Sequence, residues 1–103
     1  MIVPSPPALD ALFHQPVRSR LALLLFVDEL SFAQLKSALT ITDGNLDAHL
    51  KKLSAAGYLH SQMVLTGRPH TIYRLSNSGK EAFESYLEAL GEFQRIANCS
   101  TSP

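Results

Sequence analysis

The sequence predicts a mainly α-helical domain completed by one small β-hairpin, an α+β arrangement, and three observations predict it. Apolar residues recur at helical spacing through most of the chain: Leu21, Leu24 and Leu25, then Leu35 and Leu39, then Leu46, Leu50 and Leu53, then Phe83 to Ile96. Between residues 58 and 75 that period gives way to two short alternating runs split by a Gly/Pro turn. The length of 103 residues and 46% hydrophobic content suit one globular domain over 1–103.

Taken in order, the Pro-rich opening through Pro7 is expected to be loose, as are residues 99–103. Leu9, Leu12 and Phe13 form an apolar stripe that predicts a short first helix over Ala8–His14. Pro16 opens the next helix at a position where its missing N–H costs nothing, and that helix runs to about Val27. Val17, Leu21, Leu24, Leu25 and Ala22 turn inward, so this helix belongs in the middle of the core. Ser31 is placed to cap a helix over Phe32–Leu39, with Leu35, Ala38 and Leu39 on its apolar side. Thr40-Ile41-Thr42 breaks the pattern. Thr42 then caps a helix from Asp43 to Ala56, and Gly57 closes it. Tyr58–Leu65 and Thr71–Leu75 are the predicted strands, with Thr66-Gly67-Arg68-Pro69-His70 as the turn. Ser76 to Gly79 leads into a last helix, 79–98.

Charge is distributed unevenly although the net is zero. Residues 43–80 set Lys51, Lys52, Arg68, Arg74 and Lys80 against Asp43 and Asp47, a net of three positive charges. Residues 81–103 set Arg95 against Glu81, Glu84, Glu88 and Glu92, a net of three negative charges. A basic middle before an acidic end points to one face for an anionic partner and another face for something else. The longest apolar run, Leu21 to Val27, is too short to span a bilayer, and the first residues lack the pattern of a secretory signal. The single cysteine, Cys99, forms no internal disulfide and reads as a plain residue near a chain end. A cytoplasmic protein with no membrane partner is expected.

Two short helices joined by a tight turn, Phe32–Leu39 and Asp43–Ala56, make a helix-turn-helix candidate. The leucine face of the second leaves Gly44, Asn45, Asp47, Ala48, Lys51 and Lys52 outward. An asparagine here can bond an adenine edge in the major groove, and the two lysines can neutralise phosphates. The plainer reading is a solvated polar face. A hairpin with a basic tip directly after such a helix is how a wing is built, and it favours the first reading.

The segments His14-Gln15-Pro16-Val17-Arg18, Phe32-Ala33-Gln34-Leu35, Thr42-Asp43-Gly44-Asn45-Leu46, His49-Leu50-Lys51-Lys52-Leu53 and Ala56-Gly57-Tyr58-Leu59 resemble short MarR/ArsR-like winged helix-turn-helix regulators. Gly67-Arg68-Pro69-His70-Thr71-Ile72-Tyr73-Arg74-Leu75-Ser76 resembles their wing, and Ser78-Gly79-Lys80 the start of their dimerisation helix. The resemblance covers about residues 9–97. It implies a homodimeric transcription regulator that binds double-stranded DNA, with one recognition helix per subunit in successive major grooves. By position, Thr42, Asn45, Asp47, Ala48, Lys51 and Lys52 fall on the DNA-reading helix and Arg68 and His70 on the wing, with Arg74 adding charge on that side. Relatives often carry a polar residue and an arginine where this chain has Asp47 and Ala48. Either the site read is unusual, with Asp47 accepting from a cytosine amino group, or DNA binding is weak.

The last helix points to a dimer by itself. Phe83, Tyr86, Leu87, Leu90, Phe93 and Ile96 form a wide stripe that can cover the subunit's own core or a partner copy. Its length favours a two-fold interface, with part of it turned to the first helix of its own subunit.

Other chemistry finds little support. His14, His49, His60 and His70 stand singly, without the clustered ligands that metal sensing needs. No nucleophile elbow is present, and Asp43 with Asp47 reads as a capping acid plus a solvated acid, so no enzyme and no cofactor is expected. The competing function is a winged-helix protein-interaction module that has lost its DNA surface, which the neutral charge and the Asp47/Ala48 pair favour. Whether a small-molecule effector exists is not legible from these residues.

Overall fold

The structure, a computed structural model, describes residues 3–100. Its elements run α1 (Pro16–Val27), β1 (Leu30–Ser31), α2 (Phe32–Leu39), α3 (Asp43–Ala55), β2 (Leu59–Val64), β3 (His70–Leu75) and α4 (Asn77–Ser100). Four helices and a small antiparallel sheet give the winged-helix α+β fold that the sequence predicts.

The predicted helix over Ala8–His14 is absent. In its place Asp10 makes a turn: its carbonyl accepts from the amides of Phe13 and His14, and its side chain accepts from Leu12. Pro16 explains the difference, since a residue before proline is driven out of helical geometry, and Gln15 is extended at φ −146° and ψ 133°. Too few residues remain between Pro7 and Gln15 to nucleate a helix. Gln15 instead caps α1, accepting from the amides of Val17 and Arg18 with Pro16 in the first turn. The turn still delivers Phe13 into the core, fully buried and stacked on Tyr58.

Leu21, Ala22 and Leu25 bury α1, while Val17 and Leu24 are half-buried beside them. α2 starts with a capping box: Ser31 accepts from the Gln34 amide and the Gln34 side chain accepts from the Ser31 amide. It buries Leu35 and Leu39, whereas Ala38 is exposed. Thr40 ends α2 in the left-handed region at φ 53°, a strained place for a β-branched residue. α3 buries Leu46, Leu50 and Leu53 after Thr42 caps it, and Gly57 at φ 79° donates back to the Ser54 carbonyl.

The sheet has order β1-β3-β2. β2 and β3 pair from Leu59 with Leu75 to Val64 with His70, so β3 starts one residue earlier than the sequence suggests and β2 lacks the predicted end residues Tyr58 and Leu65. β1, unforeseen, adds Leu30 and Ser31 against Tyr73 and Ile72 on the other edge of β3. α4 then docks against the end of α3. Ser76 and Ser78 both donate to the Gly57 carbonyl, and Gly79 lies so near Tyr58 that a Cβ there would stand 2.3 Å from its carbonyl oxygen. The helix continues through Cys99 and Ser100, two residues whose sequence predicts a loose tail. Of the segments expected to be loose, residues 1–2 and 101–103 lie outside the described residues, and 3–7 carry no regular secondary structure.

Candidate nucleic-acid interface

The helix-turn-helix elbow is held by side chains from both of its helices. Thr42 accepts from the Asn45 amide, and Lys36 of α2 pairs with Asp43 of α3 at 2.8 Å. Because Leu46, Leu50 and Leu53 point inward, the 3.6-residue turn leaves Gly44, Ala48, Lys51 and Lys52 outward. All four are exposed, as are Thr42, Asn45 and Asp47. The small Gly44 and Ala48 form the floor of this face. Asn45 stands on the flank toward α2, in a groove it shares with Ala33, Lys36, Ser37, Thr40, Ile41 and Thr42. Asp47 stands on the opposite flank, toward the sheet. There its charge, second to burial, raises the Tyr73 phenol above its ordinary pKa.

The wing closes the far side. Arg68 and His70 are exposed at its turn, and His70 donates through Nδ1 to the Arg68 carbonyl at 2.8 Å, which stiffens the tip. Both line a second groove with Ser31, Phe32, Ala33, Pro69, Thr71 and Tyr73. The groove at the elbow and the groove at the wing tip thus meet at Ala33 of α2. Arg74 does not join it: its guanidinium lies 3.6 Å from Glu29 and donates to the Leu75 carbonyl, beside the end of α1.

Two participants escape the sequence reading. Lys36 lies on the same surface through the groove it shares with Asn45. Arg18 of α1 reaches α3, donating from Nε to the Leu12 carbonyl at 2.6 Å and from a terminal nitrogen to His49 Nδ1 at 3.2 Å. A guanidinium only donates, so Nδ1 accepts and His49 is held neutral. Burial, then the charges of Arg18 and Lys52, push its pKa below the usual 6.5.

A helix whose small and polar face is bordered by a basic hairpin is the surface of one known group of domains. A family model described as a winged helix DNA-binding domain matches residues 19–94. The chain belongs to the winged-helix DNA-binding family. An uncharacterized protein of Methanocaldococcus jannaschii is 37% identical over 90 residues, covering 85% of this chain and 98% of its own length. Among solved structures, the transcriptional regulator homologue of Pyrococcus horikoshii superposes with a TM-score of 0.76 at 25% identity, over 88% of this chain and 89% of that one. A MarR-family regulator of Enterococcus faecalis has a TM-score of 0.78 at 19% identity, over 87% and 83%, and shares the fold. This winged-helix protein is therefore DNA-binding by family, and the family is not one of enzymes.

The apolar stripe of α4 divides. Phe83 and Tyr86 are 2% and 5% exposed, packed with Phe13 in the subunit's own core, and Tyr86 is hydrogen-bonded to His14 at 3.0 Å. Leu90 is half-buried against the edge of that core. Leu87 and Phe93 are 42% and 41% exposed, and Ile96 is half-buried. Among the described residues no helix is long and apolar enough to cross a membrane, and no group of three or more His, Cys, Asp and Glu is placed to hold a metal ion.

Proposed function

We propose that this protein is a homodimeric cytoplasmic transcription regulator, one domain per chain, that binds double-stranded DNA in a sequence-specific manner. α3 enters the major groove with its N-terminal half, where Asn45 meets a base edge and Thr42 lies near the backbone. Ala48 lets the helix approach closely, and Lys51 and Lys52 contact phosphates. Arg68 and His70 meet the backbone or the minor groove. The C-terminal half of α4, with Leu87, Leu90, Phe93 and Ile96, joins two copies, Phe83 and Tyr86 supporting it from within each subunit.

The observation that carries this reading is the exposed face of α3 from Asn45 to Lys52, floored by Gly44 and Ala48, with a groove at its elbow that meets the groove of Arg68 at Ala33. A solvated helix face needs neither a small-residue floor nor a basic hairpin beside it. The test selects bound duplexes from fragmented genomic DNA and weighs the free protein by light scattering. A recurrent sequence element bound by a dimer is expected. Selection of nothing, even at low salt, transfers the fold to protein–protein interaction, the reading that the zero net charge favours.

A further inference from the structure

α3 carries two acids, Asp43 and Asp47, and each one holds a lysine of the DNA-facing surface. Asp43 takes Lys36 at 2.8 Å and Asp47 takes Lys51 at 2.9 Å, one helical turn away. Lys52 and Arg68 make no ion pair among the described residues. All four partners in the two pairs are half or more exposed or close to it, and ion pairs of that kind add little to the stability of a fold. Stability does not explain why half of the cations on this face are occupied.

Resting on the DNA-binding reading above, we propose that Asp47, supported by Asp43, is a second specificity-determining residue of this surface beside Asn45: it is an internal competitor that occupies Lys51 until a matching base edge frees it. On an arbitrary sequence, a phosphate can reach Lys51 only by displacing Asp47, and the displaced carboxylate then faces the polyanion unpaired. That double cost keeps ordinary DNA weakly bound. Where the base beside Asp47 presents an amino group, cytosine N4 or adenine N6, the carboxylate accepts from it and Lys51 passes to the backbone without loss. Discrimination thus comes from penalising the wrong sites as much as from rewarding the right one. The Asp43–Lys36 pair adds a smaller penalty at the elbow, independent of the base. The hydrogen bond from Lys51 to Asp47 also raises the Lys51 pKa, as a contact that favours the charged lysine must.

The test measures affinity for one selected duplex and one random duplex across a salt series. It compares the unaltered protein, Asp47→Asn, and Asp47→Asn combined with Lys51→Ala. Asp47→Asn is expected to bind random DNA roughly five- to tenfold more tightly at low salt, with a salt slope steeper by about 0.9, the share of one newly contacted phosphate. Its preference for the selected duplex falls by a comparable factor. Adding Lys51→Ala returns the slope to that of the unaltered protein. An unchanged slope in Asp47→Asn overturns the proposal, and so does a slope that stays steep after Lys51 is removed, since the gain would then be charge at a distance. Binding of neither duplex by any of the three proteins overturns the DNA-binding reading itself, a result distinguishable from both.

Discussion

The two halves of α4 carry the same apolar spacing and do different things. In the first half, Phe83 and Tyr86 interlock with Phe13 and close the core of the subunit. In the second half, Phe93 repeats the pattern ten residues after Phe83 and keeps 41% of its surface in contact with solvent. A helical stripe declares that a face will be covered without saying by what. The core of this domain reaches only as far as Leu90, so Phe93 and Ile96 of the stripe lie beyond it. A large aromatic left half-exposed there has hydrophobic free energy still available for a partner.

Truncation sharpens that contrast most. Phe83→Ala should destabilise the domain by about 3–5 kcal/mol, because it leaves a cavity among Phe13, Phe26 and Tyr86. Denaturant unfolding checks this, and a loss no larger than that of a surface residue would remove Phe83 from the core. Gly79→Ala comes next, at about 1–3 kcal/mol, since a Cβ would press on the backbone of Tyr58 and push the start of α4 off its anchor. Thermal melting reports it. Phe93→Glu should leave the melting of the isolated subunit within about 0.5 kcal/mol, as at other positions outside a core, while light scattering shows the dimer lost. If Phe93→Glu instead unfolds the chain, the two halves of α4 are not different in kind.

A smaller effect tests the same distinction between tethered and free side chains on α3. His49 is tethered to Arg18, whereas its neighbour Lys52 is free of ion pairs among the described residues. With the His49 pKa lowered in the folded chain, the unfolded chain takes up its proton first as pH falls through 6.5. The stability contributed by neutral His49 is therefore complete above that pH and is lost as pH drops below it toward the lowered value. Melting followed from about pH 8 to about pH 5 should show a decline that His49→Gln reduces. An identical decline in the variant would assign it to other groups.

Much of this molecule is legible in its sequence where the decisive interactions are local. Ser31 with Gln34, Thr42 before Asp43 and Gly57 after α3 mark helix ends through contacts only a few residues apart. Leu46, Leu50 and Leu53 fix which side of α3 is exposed, and with it the whole candidate surface. The failures lie where distant segments meet. β1 has two residues and exists only because Tyr73 and Ile72 stand beside it. The pair Lys36–Asp43 and the bond from Arg18 to His49 each join two elements, and no spacing announces them. Asp47–Lys51 is the exception, an i,i+4 pair that the spacing alone could have revealed. The missing first helix is a local failure: Pro16 was legible as a helix start and equally as a barrier to what precedes it.

On the proposed function, the exposed face of α3 reads bases. The most direct measurement takes one selected duplex and its single-base variants and titrates each with the unaltered protein and with Asn45→Ala. Asn45→Ala is expected to lose about 1–3 kcal/mol of discrimination at one base position and none at the others, with affinity for random DNA nearly unchanged. An Asn45→Ala protein that ranks every base variant as the unaltered protein does would contradict that function.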